Sequence, residues 1–68
     1  MLVKNTLKIE RAIKDMTQDA LAAEIGVSRQ TINSIEKNRY VPSTVLALKI
    51  AKVFGKTVNE LFELEAED

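Results

Sequence analysis

Arg29, Gln30, Thr31, Asn33 and Ser34 fall within one stretch of the chain, and Lys37 follows. All of them give or take hydrogen bonds. A guanidinium presents a fork of donors, an amide has one donor side and one acceptor side, and a hydroxyl does both. This is the chemistry of recognition rather than turnover. The chain contains no histidine and no cysteine. It therefore lacks the commonest general base and the thiolate and imidazole metal ligands, and it can form no disulfide. Carboxylates are present without a glycine-rich phosphate cradle. A length of 68 residues leaves little room for a substrate pocket beside a core. No enzyme, metal site or cofactor is expected.

The elements that must position these side chains can be read from apolar spacing and punctuation. Helix formers dominate, apolar residues recur three and four apart, and two glycines and one proline interrupt them. A first helix is predicted over 6–15, with Ile9, Ala12, Ile13 and Met16 as its apolar stripe and Leu7 at the edge. Thr17 is placed to cap a second helix over 18–25, and Gly26 suits the left-handed residue that ends it. Ser28 caps a third helix over 29–37, in which Ile32 and Ile35 form one narrow apolar stripe and the wide remainder is polar. Asn38 tolerates positive φ and ends it. Pro42 biases Val41 away from helix, so 39–42 reads as a loop. Ser43 then caps a fourth helix over 44–54, with Leu46, Ala47, Ile50, Ala51, Val53 and Phe54 turned inward. Gly55 stops that helix. Thr57 and Glu60 make a capping box for a short fifth helix ending near Phe62. Beyond it Phe62, Leu64 and Ala66 alternate with glutamates, which is strand spacing, and Leu2-Val3 can also be extended. The two ends either pair as a short antiparallel sheet or fray.

The formal net charge of zero hides an asymmetry. Residues 1–56 carry all ten basic residues and five acidic ones, whereas 57–68 carry five acidic residues and no basic one. A basic body points to a polyanionic partner. Lys49, Lys52 and Lys56 are expected to be solvated. No apolar run approaches a membrane span, and 1–5 is too short and polar for a signal peptide. The expected setting is the cytoplasm, at the nucleoid. A core this small gains from oligomerisation, and Phe62 and Leu64 are the favoured dimer contacts.

The unit that carries function is 17–37: two short helices joined by Gly26-Val27-Ser28, with small Ala22 allowing a close crossing. Val27, Ile32 and Ile35 anchor the second of these helices, so its polar face is held outward. The major groove of DNA is wide enough to admit such a helix. The segment Thr17-Gln18-x-x-Leu21-Ala22-x-x-Ile25-Gly26-Val27-Ser28-Arg29-Gln30-Thr31-Ile32-x-x-Ile35-Glu36 resembles the Xre/Cro/C1 family of phage and bacterial repressors. The likeness continues through Pro42-Ser43 and Leu48-Lys49-Ile50-Ala51 to Leu61-Phe62.

This resemblance implies an all-α, five-helix, lambda-repressor-like domain spanning 1–68, with an acidic tail at 63–68. It implies a stand-alone regulator that binds near-palindromic double-stranded DNA as a homodimer, most simply as a repressor. Arg29, Gln30, Thr31, Asn33 and Ser34 fall at or beside positions where relatives touch base edges. Arg29 can fork onto guanine, and Gln30 can pair with adenine. Thr17, Gln18, Ser28, Lys37, Arg39 and Tyr40 fall where the DNA backbone would be gripped, and the free N–H groups at a helix start favour a phosphate beside Gln18. Local helix capping by Gln18 is the rival reading, and Tyr40 can equally pack on its loop. Arg11 and Glu36 match an ion pair that joins helices one and three in relatives. Many relatives have Asn-Gly where this chain has Lys37-Asn38, a turn that Asn38 can still make. The other reading of the fold is a protein-interaction module, such as an antitoxin-like partner or a co-regulator, with the acidic tail serving the contact.

Overall fold

The computed structural model describes residues 3–64. Along them run strand β1 (Val3–Asn5), helices α1 (Leu7–Ile13), α2 (Gln18–Ile25), α3 (Arg29–Glu36), α4 (Thr44–Phe54) and α5 (Val58–Leu61), and strand β2 (Phe62–Leu64). The fold is mainly helical, with one two-stranded sheet among the described residues.

The helix starts have a common local cause. Thr17, Ser28, Ser43 and Thr57 each sit in extended backbone, and each side chain accepts from the N–H three residues on, at Ala20, Thr31, Leu46 and Glu60. Such caps are worth about 1 kcal/mol each. Glu60 completes a capping box by accepting from the Thr57 N–H at 2.8 Å. Hydrogen bonds from the Thr57 backbone and side chain hold the Glu60 carboxyl below the usual carboxylate range. Helix ends are made by left-handed residues. Gly26 (φ 75°) closes α2, and apart from the adjoining chain no atom lies within 4 Å of the position a Cβ would take. Backbone conformation, not space, therefore asks for glycine there. Asn38 does the same work after α3 with φ 59°. Arg39 N–H bonds to Ser34 O and Asn38 N–H to Ile35 O, which satisfies two carbonyls of the last turn.

Every helix sends at least one fully buried side chain to a common core: Leu7, Leu21, Ile32 with Ile35, Ile50 and Leu61. Each is worth about 1.5–3 kcal/mol of apolar burial. Met16, Val27, Val53, Val58 and Phe62 pack against this cluster from its margin.

The first helix departs from its expected phase and length. Ile9 and Ile13 are 61% and 71% exposed, whereas Leu7 and Glu10 are buried. Ala12 also faces solvent, so the predicted stripe is not the buried face. The reason lies in two long-range pairs. Arg11 is tied to Glu36, and Lys56 Nζ donates to Glu10 Oε2 at 2.6 Å. These turn the face carrying residues 7, 10 and 11 inward. The helix also stops at Ile13, because Asp15 takes a left-handed φ of 52°. Lys56, expected to be solvated, is held by Glu10, and that bond raises its ammonium above the usual lysine range.

The open question at the ends resolves as a sheet. β1 and β2 pair antiparallel, with Val3 opposite Leu64, Lys4 opposite Glu63 and Asn5 opposite Phe62. α5 ends one residue earlier than expected, since Phe62 is already extended (φ −125°, ψ 139°). Leu2, Ala66 and most of the acidic tail lie outside the described residues. Asn5 ties this sheet to the helices. Its Oδ1 accepts from Leu7 N–H, and its Nδ2 donates to Ile35 O at 2.8 Å and Asn38 Oδ1 at 3.1 Å.

Candidate nucleic-acid interface

α2 and α3 are joined by Gly26-Val27-Ser28 and pack closely against each other. Ile32 and Ile35 sink into the core from one side of α3. Two anchors fix its ends. At the start, Ser28 Oγ accepts from Thr31 N–H at 3.1 Å and also meets Thr31 Oγ1 at 3.0 Å. At the end, Arg11 grips Glu36 through Nε to Oε2 at 2.5 Å and Nη2 to Oε1 at 2.9 Å, while its Nη1 donates to Met16 O.

The Arg11–Glu36 side chains are only 13% and 6% exposed. Burial pushes the Glu36 carboxyl up, but hydrogen bonds from Arg11 and Gln18 and the Arg11 charge outweigh it and hold the group below the usual range. The hydrogen bond to Glu36 likewise raises the Arg11 guanidinium. A two-pronged pair of this kind sets orientation as well as distance.

With those anchors in place, the rest of α3 is turned outward. Arg29 and Gln30 are exposed, and Thr31, Asn33 and Ser34 are half-buried. Among the described residues, the side chains of Arg29, Gln30 and Ser34 have no hydrogen-bond partner. One flank of α3 forms a shallow polar hollow with the following loop, lined by Ser28, Gln30, Thr31, Ser34, Arg39 and Tyr40. It brings candidate base-reading residues beside candidate backbone-gripping ones. The other flank carries Asn33, against Gln18 from the first turn of α2. Lys37 is exposed at the end of α3. Thr17 spends an acceptor lone pair on its cap and keeps a hydroxyl proton to give, whereas Ser28 both caps α3 and shares a hydroxyl hydrogen bond with Thr31.

The helix-turn-helix family model matches residues 7–61. An uncharacterized HTH-type transcriptional regulator of Methanocaldococcus jannaschii is 50% identical over 66 residues, which is 97% of this chain and all of that protein. A second uncharacterized HTH-type regulator, from Bacillus subtilis, is 46% identical over 97% of this chain and all of its own length. The chain belongs to the Xre/Cro/C1-type helix-turn-helix family. This is a family of DNA-binding transcriptional regulators and not of enzymes. The fold is shared with the crystal structure of a candidate DNA-binding protein from Bacteroides fragilis. The TM-score is 0.80 at 27% identity, over 91% of this chain and all of that one. No helix among the described residues is long and apolar enough to cross a membrane.

Three polar links in the domain are absent from the sequence reading. Gln18 caps no helix; its Nε2 donates to Glu36 Oε1 at 3.1 Å and to Asn33 Oδ1 at 3.4 Å. Asn5 holds the end of α3, and Glu10 holds Lys56. All three join residues far apart in the chain, beyond the reach of local spacing rules. The one available signal was helical phase, since Asn33 and Glu36 lie three apart on one side of α3.

Proposed function

We propose that the chain is a sequence-specific, homodimeric repressor that lays α3 in the major groove of a near-palindromic operator, working in the cytoplasm at the nucleoid. The observation that carries this reading is the outer face of α3. Arg29 and Gln30 stand exposed on a helix whose other side is fixed by Ile32, Ile35 and Glu36. Arg29 forks onto guanine O6 and N7, and Gln30 reads adenine through N6 and N7. Thr31, Asn33 and Ser34 complete the base-facing set. The free N–H groups at the start of α2, together with Thr17, Ser28, Lys37, Arg39 and Tyr40, hold the flanking phosphates.

The homodimer is supported by a second surface. Val41, Leu48, Phe62 and Leu64 line one apolar hollow between the loop before α4, α4 itself and β2. Leu48 and Leu64 are 56% and 57% exposed, while Phe62 packs partly on the core. For a two-fold dimer paired there to read two half-sites, its two copies of α3 must lie roughly 34 Å apart, one turn of DNA.

The test is selection of bound sequences from a random duplex pool, with Arg29→Ala and Gln30→Ala beside the parent. An inverted repeat that relaxes at defined positions in each variant is the expected result. With about eight phosphates neutralised per dimer, the log–log salt slope should be near −7. A folded, monodisperse parent that enriches nothing would overturn the proposal.

A further inference from the structure

Asn33 could in principle offer DNA either side of its amide, an oxygen that accepts or a nitrogen that donates. Its neighbours remove that choice. Glu36 is a carboxylate, and an ionised carboxylate only accepts. The Gln18 amide lies 3.1 Å from Glu36 Oε1, so its nitrogen must face that oxygen. The same nitrogen meets Asn33 at 3.4 Å. A donor there requires the oxygen of Asn33, since the nitrogen would set donor against donor. Both N–H groups of Gln18 are then directed into the protein. Asn33 Oδ1 is engaged, and its Nδ2 is turned away from Gln18, without a partner among the described residues.

We infer that the relay Arg11–Glu36–Gln18–Asn33 fixes Asn33 as a one-way hydrogen-bond donor toward DNA. Its target is an acceptor: a purine N7, a guanine O6, a thymine O4 or a phosphate oxygen. It cannot make the two-way amide pair with adenine that Gln30 can make. The Gln18 side chain becomes a positioning group for Asn33, because the only side-chain atom it has left to show a phosphate is an acceptor oxygen. The inference rests on the DNA-binding reading above, but the relay itself belongs to the free protein.

The experiment has two parts. Binding of the selected operator is measured for the parent, Gln18→Met, Asn33→Ala and the double variant, with circular dichroism confirming that each is folded. Asn33→Ala should weaken binding about fivefold per half-site, the loss of one ordinary hydrogen bond. Gln18→Met should cost less or the same, and nothing further once Asn33 is gone. If the acceptor is a base, both variants lose preference at the same position. If it is a phosphate, both weaken all sequences alike, and one methylphosphonate reproduces the loss. A Gln18→Met penalty that persists in full on the Asn33→Ala background would overturn the inference. In the free protein, the Gln18 side-chain amide protons should exchange with water about tenfold more slowly than those of exposed Gln30. Equal exchange rates would overturn the relay, whereas a parent that selects no sequence would sink the DNA reading instead.

Discussion

Helices α3 and α4 bury the same kind of residue and expose opposite kinds. α3 turns Ile32 and Ile35 inward, and α4 turns Leu46, Ala47, Ile50, Ala51 and Phe54 inward. Outward, α3 shows Arg29 and Gln30, whereas one exposed face of α4 shows Val45 and Leu48, three apart, with Lys49 and Lys52 also exposed on that helix. The inward sets are interchangeable in kind, since any well-packed apolar group holds a core. The outward sets are not, because folding makes no demand on them. One surface is rich in hydrogen-bonding groups and suits a wet, charged partner. The other is apolar at Val45 and Leu48, as the proposed pairing of two copies requires.

This contrast can be broken first on the inward side of α3, where Glu36 is a charged residue beside the apolar Ile32 and Ile35. Arg11→Met leaves a buried carboxylate without its counter-ion and should cost about 3–5 kcal/mol in urea denaturation. Acid should act on the same pair. The folded Glu36 carboxyl lies below its ordinary value near 4.5. Its contribution is therefore complete above that value and is lost as pH falls through the lower folded value. Glu36→Gln should flatten the acid limb of a stability–pH curve, and an unchanged limb would refute the assignment.

The outward side of α4 comes next. Leu48→Glu should weaken self-association by about 2–4 kcal/mol, read by sedimentation, while monomer stability stays within about 0.5 kcal/mol. Arg29→Ala is the matching change on α3. It should remove about 1–3 kcal/mol of discrimination at one base pair and leave both folding and dimerisation intact. If Arg29→Ala instead destabilised the fold, the two surfaces would not be separable as described. The smallest effect is expected at Lys49, exposed on α4 beside Glu24 and Lys52. Lys49→Ala should change stability by less than about 0.5 kcal/mol and leave base preference untouched.

What could be read from the sequence followed the reach of the interactions. Thr17, Ser28, Ser43 and Thr57 cap within three residues of themselves, so the helix starts were legible. The polar face of α3 was legible too, because Ile32 and Ile35 fix its phase. The face of α1 was not. Ile9 and Ile13 look like a core stripe, yet Arg11 and Glu10 are claimed by partners 25 and 46 residues away. Strand spacing at 62–64 was visible and pairing with the other end of the chain was one of two readings; the choice between pairing and fraying stayed open because the partner strand lies about 60 residues away. The same holds for Gln18 and Asn33, which meet only once α2 and α3 have crossed.

The clasp made by Asn5 bears on the order in which the protein is finished during synthesis. Asn5 bonds to Ile35 O and Asn38 Oδ1, and its place depends on β1 lying beside β2. A growing polypeptide delivers its N-terminal part first, so β1 leaves the ribosome early and its mate emerges after all five helices. Two strands alone are marginal in water, and β1 has nothing to pair with while it waits. The helices can collapse in that interval, with α3 already held by Arg11 through Glu36 but not yet clasped by Asn5. The Asn5 clasp on the end of α3 is thus completed only once β2 has followed the five helices and paired with β1.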